Sequence, residues 1–320
     1  MSHELTTRED GSVEMFSGRN ITPWHKLGQI VAGMLTAQEA IKAAKLDWKV
    51  ELRPVHVDGN LVDESFGVKR LDNNKVLGIV GARYEPIQNE DSFSFFDEVI
   101  EQGQAYYDTA GSLFEGRKVF ISAQLPGKLF LKNNPQDTME KFVLLSTSHN
   151  GTSGLCLQIV TVRVVCKNTL SMALNGATNQ IKIRHTKSYK DKVNEAQKTL
   201  ELVNGYYDDL QAVIDSLSTS KMTTQEAITM TERLFPAKDV NDIPTRTVNT
   251  RAEVLKLFKS GVGNVGETKW DYVNAISEFT THNRGTRIAD GGNEDESKMA
   301  SLLFGSGAAL NQKAFNLLTA

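Results

Sequence analysis

The stretch Lys141–Leu174, KFVLLSTSHNGTSGLCLQIVTVRVVCKNTLSMAL, decides how this chain folds. Its apolar runs, Lys141–Ser148 and Leu155–Val165, flank Asn150-Gly151. Asn-Gly between apolar runs is a strong hairpin signal, because the tight turn needs positive φ at its central residues. Working upstream, Ala105–Phe114 and Lys118–Leu125 read as two more strands about a turn at Glu115-Gly116. Val119, Ile121, Ala123 and Leu125 alternate with polar or mixed neighbours, so one face of that strand is expected to be buried. Lys128–Gln136 reads as a loop.

Farther upstream, Trp48–Val57 and Leu61–Leu71 flank Asp58-Gly59, a second hairpin signal, and Val76–Val80 follows the turn Asp72-Asn73-Asn74. Residues 1–20 read as a loose arm. Thr36 with Glu39 supplies a capping box for one helix. Asn89 is expected to cap another, which carries Phe93, Phe96 and Ile100 on one side and ends at Gly103.

Downstream, Asn168–Leu174 is a short helical candidate and Gln180–His185 a short strand. From Tyr189 apolar residues recur four and three apart, through Val193, Ala196, Leu200, Val203, Tyr207, Leu210 and Ile214 to Leu217. That spacing predicts a continuous helix from Ser188 to Leu217 with one seam buried, capped by Ser188 and Asp191. Beyond Ser218 come short helices: one capped by Thr223 and Glu226 and stopped before Pro236, one capped by Thr250 and Glu253 and ended by Gly261, then Trp270–Phe279. Residues 284–298 read as a mobile loop, and Met299–Leu318 as a last helix or helix pair. The fold class is therefore α+β. An antiparallel β-meander packs against helices, one of them long, in a domain spanning 1–218, and a smaller helical domain spans 219–320.

Hydrophobic residues make up 40% and charged residues 23% of the 320, which is ordinary for a soluble globular protein. No apolar run reaches membrane-spanning length. The polar, acidic start MSHELTTREDGSVEMF is unlike a secretory leader. Cys156 and Cys166 sit in or beside apolar strand sequence, as reduced thiols of a cytoplasmic protein would. The net charge is −3, but it is unevenly spread. Residues 117–198 hold thirteen Lys and Arg against four acids, an excess of nine. Such asymmetry marks an anion-facing side.

Most motifs that suggest chemistry have a plainer structural explanation. GVGNVG at 261–266 matches a dinucleotide pattern but follows a helix rather than a strand, so a helix end explains it better. His149 and Cys166 invite a thiol–imidazole dyad, although Cys166 ends an apolar strand where a small buried residue is commonplace. The histidines and cysteines lack metal-ligand spacing, and no cofactor or metal is expected. The basic stretch is different. Lys182, Arg184, His185, Lys187 and Lys190, with Arg163, Lys167 and Asn168 upstream, gather cationic and amide groups beside a helix start, where anions are favoured. Nucleic-acid phosphate is the commonest such anion, and Tyr106, Tyr107 and Tyr189 are candidate stacking faces for bases.

Several segments together resemble the phage/plasmid-like proteins of domain-of-unknown-function family 932. They are TPWHKLG at Thr22–Gly28, the helix led by Asn89, TAGSLFEGRKVF at Thr109–Phe120, LSTSHNGTSG at Leu145–Gly154, VRVVCKNTL at Val162–Leu170, IRHT at Ile183–Thr186, TKWDYVNAISEFTTH at Thr268–His282 and LFGSGAALNQKAF at Leu303–Phe315. The resemblance implies a gene of bacteriophages, plasmids or integrated elements and brings no catalytic residues. A second likeness is topological: a helix, a meander and a long basic-ended helix are similar to the core of Rad52-like single-strand annealing proteins of phages.

The expected function is a non-catalytic, homo-oligomeric protein of the bacterial cytoplasm that binds and anneals single-stranded DNA in recombination or replication. Its alternative is an inhibitor of a host protein working through the acidic Glu294–Glu296 region. An enzyme using His149 and Cys166, or a nuclease whose carboxylates the sequence does not reveal, is a third reading.

Overall fold

The structure is a computed structural model describing residues 14–17, 29–30, 35–103, 105–163, 169–170, 180–186, 201–239, 241–288 and 293–320. In chain order the first half runs β1 (Met15–Ser17), β2 (Gln29–Ile30), α1 (Ala37–Ala43), β3 (Val50–Val57), β4 (Asn60–Arg70), β5 (Val76–Gly81), α2 (Asn89–Gly103), β6 (Tyr106–Leu113), β7 (Lys118–Leu131) and β8 (Asn134–Ser148). It continues with β9 (Leu155–Arg163), β10 (Thr169–Leu170), β11 (Gln180–Ile183), α3 (Glu201–Thr219), α4 (Thr224–Leu234), α5 (Thr245–Ser260), α6 (Lys269–Glu278), α7 (Glu294–Phe304) and α8 (Ser306–Thr319). This is an α+β fold.

The large sheet has the order β10-β9-β8-β7-β6-β1-β2, and β11 pairs with the same outer edge of β9 that β10 uses. Its pairs are antiparallel except β1 with β2. A smaller antiparallel sheet, β3-β4-β5, holds the Asp58-Gly59 hairpin. Alternation in β7 works as the sequence requires. Val119, Ile121, Ala123 and Leu125 join the main apolar cluster, and Phe120 joins a second cluster on the opposite face. The main cluster is continuous from Trp48 and Phe96 through Leu210 and Ile214 of α3 to Trp270, Ile276 and Phe315 of the C-terminal helices.

The long helix is described from Glu201 to Thr219, with Tyr207, Leu210, Ile214 and Leu217 buried along the expected seam, while residues 187–200 lie outside the described residues. Gly205 faces open space and leaves the helix unbroken. Tyr207 pins the helix to the sheet: its hydroxyl accepts from Phe142 N (3.0 Å) and reaches the carbonyls of Phe142 (2.9 Å) and Val160 (3.1 Å).

Some elements differ from expectation. Lys128–Gln136 is not a loop but the end of a long β7–β8 hairpin. Leu129 and Leu131 alternate into the core there, and Gln211 of α3 bonds both Phe130 N (3.1 Å) and Phe130 O (2.8 Å). Pro126, Gly127 and Pro135 hide this strand in the sequence, since they are the residues that usually mark turns. Thr169 and Leu170, expected in a helix, extend along Val162 and Thr161 instead, because the outer edge of β9 offers unpaired backbone groups.

Asn89 is the first residue of α2, and its side chain turns elsewhere, donating to the Leu46 carbonyl (2.9 Å). Thr250 lies inside α5, which starts behind Pro244, whose fixed φ suits a helix start. The expected mobile loop 284–298 closes with a capping box: Asn293 accepts from Glu296 N, so α7 already begins at Glu294, and Glu296 and Ser297 are buried. The boxes at Thr36 and Thr223 and the helix ends at Gly103 and Gly261 form as read.

Candidate functional site

Strand register brings two lysines together. Lys118 stands opposite Ser148, Ser146 opposite Cys156, and Cys156 opposite Lys182. Residues two apart on a strand share a face, so Lys118 and Lys182 lie on the same side of the sheet. That side carries Phe120, Phe142, Leu144 and Val160, and α7 covers it with Met299, Leu303 and Phe304. At the end of this layer lies a cleft of about 530 Å³, lined among others by Arg117, Lys118, Asn150, Thr152, Arg287 and Ser306.

The cleft is electropositive. Lys118 Nζ sits over the Phe304 ring, 3.6 Å from its centroid. Burial draws the Lys118 ammonium down from 10.5 to about 8; the Cys156 thiol opposes that shift and Lys182 adds to it. The same burial pushes the Cys156 thiol up against the pull of the two lysines. α8 starts at the cleft with Gly305, which has no side chain, as its N-cap. The partial positive charge of a helix N-terminus thus adds to that of the side chains. Arg284 donates to the Ser306 carbonyl (3.1 Å), and the Ser301 hydroxyl accepts from Gly307 N (3.1 Å), which fix this corner. Such a surface can hold an anion and exclude a cation.

Among the described residues, none of those expected from the sequence lines the cleft, although Lys182 lies on the same side of the sheet. Lys182 and Arg184 are exposed, on β11 and just beyond it. Arg163 closes β9 seven residues from Cys156, about 23 Å along the strand, so the sheet does not bring it to the cleft. Lys167, Asn168, Lys187 and Lys190 lie outside the described residues, as do Tyr189 and Cys166. His185 is not a surface cation: it is buried, stacked on Tyr84 with ring centroids 4.7 Å apart. Tyr107 belongs to the core, donating to Asp97 (2.9 Å) and the Phe93 carbonyl (3.2 Å), whereas Tyr106 is 37% exposed. Sequence reasoning missed Arg117, Lys118 and Arg287 as members of one site. The first two were visible as a basic pair after the Glu115-Gly116 turn, but Arg287 gave no signal.

The opposite face of the same sheet end carries a buried polar knot. Arg70, 1% exposed, is bound by both oxygens of Glu14, itself 0% exposed, and by Asp72 through Nε (2.6 Å) and Nη2 (2.8 Å). Its guanidinium lies over the Trp48 ring, 4.1 Å from the centroid. Gly116, at φ +95, lets the turn pass this pair: a Cβ there would stand 2.9 Å from Arg70 Nη1 and 3.1 Å from the indole. Ser112 donates to Glu14 (2.6 Å).

Beside the knot, His149 meets Asn89 Oδ1 through Nε2 (2.9 Å). An amide oxygen only accepts, so the neutral imidazole carries its proton on Nε2. Burial pushes His149 down to about 3, with His185 and Arg70 adding to the shift. His185 is likewise lowered to about 4 by burial, opposed by its bond to the Glu85 carbonyl. His149 is thus an interior group and not a surface base.

Among the described residues no cluster of three His, Cys, Asp or Glu could hold a metal ion, and no helix is long and apolar enough to cross a membrane. The glycines at 261–266 follow α5, with Gly261 as its C-cap. The family model described as a domain of unknown function (DUF932) matches residues 76–303, which include β5–β11, Arg117, Lys118, Lys182 and Arg287. The chain belongs to that family. No curated protein and no solved structure matches it.

Proposed function

We propose that this DUF932 protein binds a single nucleic-acid strand through its phosphates, without catalysing a reaction on an intact strand. The observation that carries this reading is the cleft at the end of the large sheet, with Arg117 and Arg287 in its lining, the α8 N-terminus in its wall and Lys182 and Arg184 exposed on β11 and just beyond it. Phosphate oxygens accept from guanidinium and ammonium groups without regard to base, so capture is electrostatic and tolerant of sequence. The role we assign is annealing or protection of single-stranded DNA in the recombination or replication of a phage or other mobile element. The protein would act in the bacterial cytoplasm as a homo-oligomer.

The rival reading, an acidic surface at Glu294–Glu296 that inhibits a host protein, is weakened at Glu296. That carboxylate is buried, closes the cap of α7 and accepts from Phe114 N (3.1 Å).

A gel shift with single- and double-stranded DNA, read beside a mass measurement of the free protein, tests the proposal. The unaltered protein should retard the single strand and lose affinity steeply as salt rises, since each neutralised phosphate releases counterions. Lys182→Glu with Arg184→Glu should abolish the shift and leave the unfolding midpoint unchanged, both side chains being exposed. Binding that survives the double reversal, or no binding by the unaltered protein at low salt, refutes it.

A further inference from the structure

Lys118 differs from every other cation of the cleft, and this difference points past the phosphate-binding reading on which it rests. We infer that Lys118 is an amine nucleophile that forms an imine with the C1′ aldehyde of an abasic site in a strand held along the cleft.

The geometry supplies the requirements one at a time. Lys118 lines the cleft, and its Nζ stands over the Phe304 ring rather than beside an acid. Among the described residues no carboxylate pairs with it; its near neighbours are the Cys156 thiol and a second cation, Lys182. A lysine in apolar surroundings next to another positive group is the arrangement that frees an amine for attack on carbonyl carbon. With a pKa of about 8, roughly one Lys118 side chain in ten is neutral at pH 7, against roughly one in three thousand for an ordinary lysine. Arg117 and Arg287 cannot take this role, because a guanidinium stays protonated. They can hold the phosphates on either side of a damaged nucleotide, while Phe304 and Ala300 offer an apolar wall to a sugar that has lost its base. Burial keeps Cys156 in its protonated thiol form, so it does not compete as a thiolate.

The step balances without an oxidant or reductant. The Nζ lone pair attacks C1′ of the ring-opened sugar, the carbonyl oxygen takes up a proton, and a carbinolamine forms. The C1′–O bond then breaks, water leaves with the second amine proton, and a C1′=N bond remains.

The test uses the full chain with a single-stranded oligonucleotide carrying one abasic site, sodium borohydride to reduce the imine, and peptide mass spectrometry to map the adduct. The expected result is an adduct on Lys118. At strand concentrations that saturate the gel shift, Lys118→Arg should lower adduct yield at least tenfold. Mapping in the unaltered protein decides the matter even if that variant folds poorly. A strand that binds but gives no adduct, or gives one on other residues in yield unaffected by Lys118→Arg, overturns the nucleophile and leaves phosphate binding standing. If the intact strand of the same sequence does not bind either, the phosphate-binding reading itself has failed and this inference falls with it.

Discussion

On one face of the β7–β9 edge, Arg70 is enclosed by two carboxylates and an indole; on the other, Lys118 and Lys182 share a side of the sheet, with Ser148, Ser146 and Cys156 on the strands between them. The two faces are one residue apart along the same strands. Thr147 and His149 face the knot, while Ser146 and Ser148 face the lysines. In the knot every positive charge is completed within the fold, so its cost of burial is offset internally and nothing is left for an outside ligand. On the cleft side no carboxylate among the described residues pairs with Lys118, and burial draws its ammonium down. A buried cation with its own anions is architecture, whereas a partly buried cation without one is an invitation to a ligand.

The sharpest way to break this comparison is Arg70→Met. Removing one partner from a buried ion pair leaves the other charged and desolvated, which costs about 3–5 kcal/mol. Glu14, with no exposure, would be that stranded charge. Urea unfolding should show a loss of this order or no folded protein at all. A loss below about 1 kcal/mol would mean that the knot is not what holds the small sheet to β1 and β6.

A smaller effect should come from acid, through the two histidines behind the knot. Both have folded-state pKa values below their ordinary 6.5, about 3 for His149 and about 4 for His185, so the unfolded chain takes up protons first. Stability is then complete above pH 6.5 and falls as pH drops toward those values, by at most about 1.4 kcal/mol per unit for each histidine. Urea midpoints between pH 7.5 and 5, where ordinary carboxylates stay ionised, should decline with falling pH. His149→Gln should flatten that decline while costing some stability at neutral pH. A flat profile in the unaltered protein would show that these imidazoles are not held neutral.

The sequence shows the local half of this arrangement far better than the global half. The hairpins at Asp58-Gly59 and Asn150-Gly151, the alternation of Val119 to Leu125, the boxes at Thr36 and Thr223 and the seam through Tyr207 to Leu217 are short-range patterns, and each forms. What fails depends on partners distant in sequence. Asn89 looks like a cap, but His149, sixty residues away, claims its oxygen. Leu129 and Leu131 look like loop residues until α3 lies over them. His185 looks like one more cation in a basic run, yet Tyr84 and Thr147 take it inside, the Thr147 hydroxyl donating to Nε2 (3.0 Å). Lys182 and Arg184 were legible as basic, but the cleft was not, because Arg287 and Lys118, which both line it, are far apart in sequence.

The smallest expected effect sharpens the comparison most, because here opposing contributions nearly cancel. Lys118→Met removes a cation of similar shape from the cleft face, as Arg70→Met removes one from the knot. Two losses oppose it: the ammonium's attraction to the Phe304 ring, worth about 0.5–1 kcal/mol at a partly exposed site, and some stem packing. Two gains favour it: the desolvation of an uncompensated charge disappears, and so does its repulsion from Lys182. With no acid left stranded, the net change should lie within about 1 kcal/mol of zero, and it should shift toward stabilisation as pH falls from 9 to 7. The folded amine has the lower pKa, so across that range the unfolded lysine binds more protons and Lys118 weakens the folded state progressively. Urea midpoints of both proteins at pH 7 and pH 9 give the comparison directly. A loss near that of Arg70→Met would mean that Lys118 has an internal anionic partner, and the distinction between the two faces would collapse.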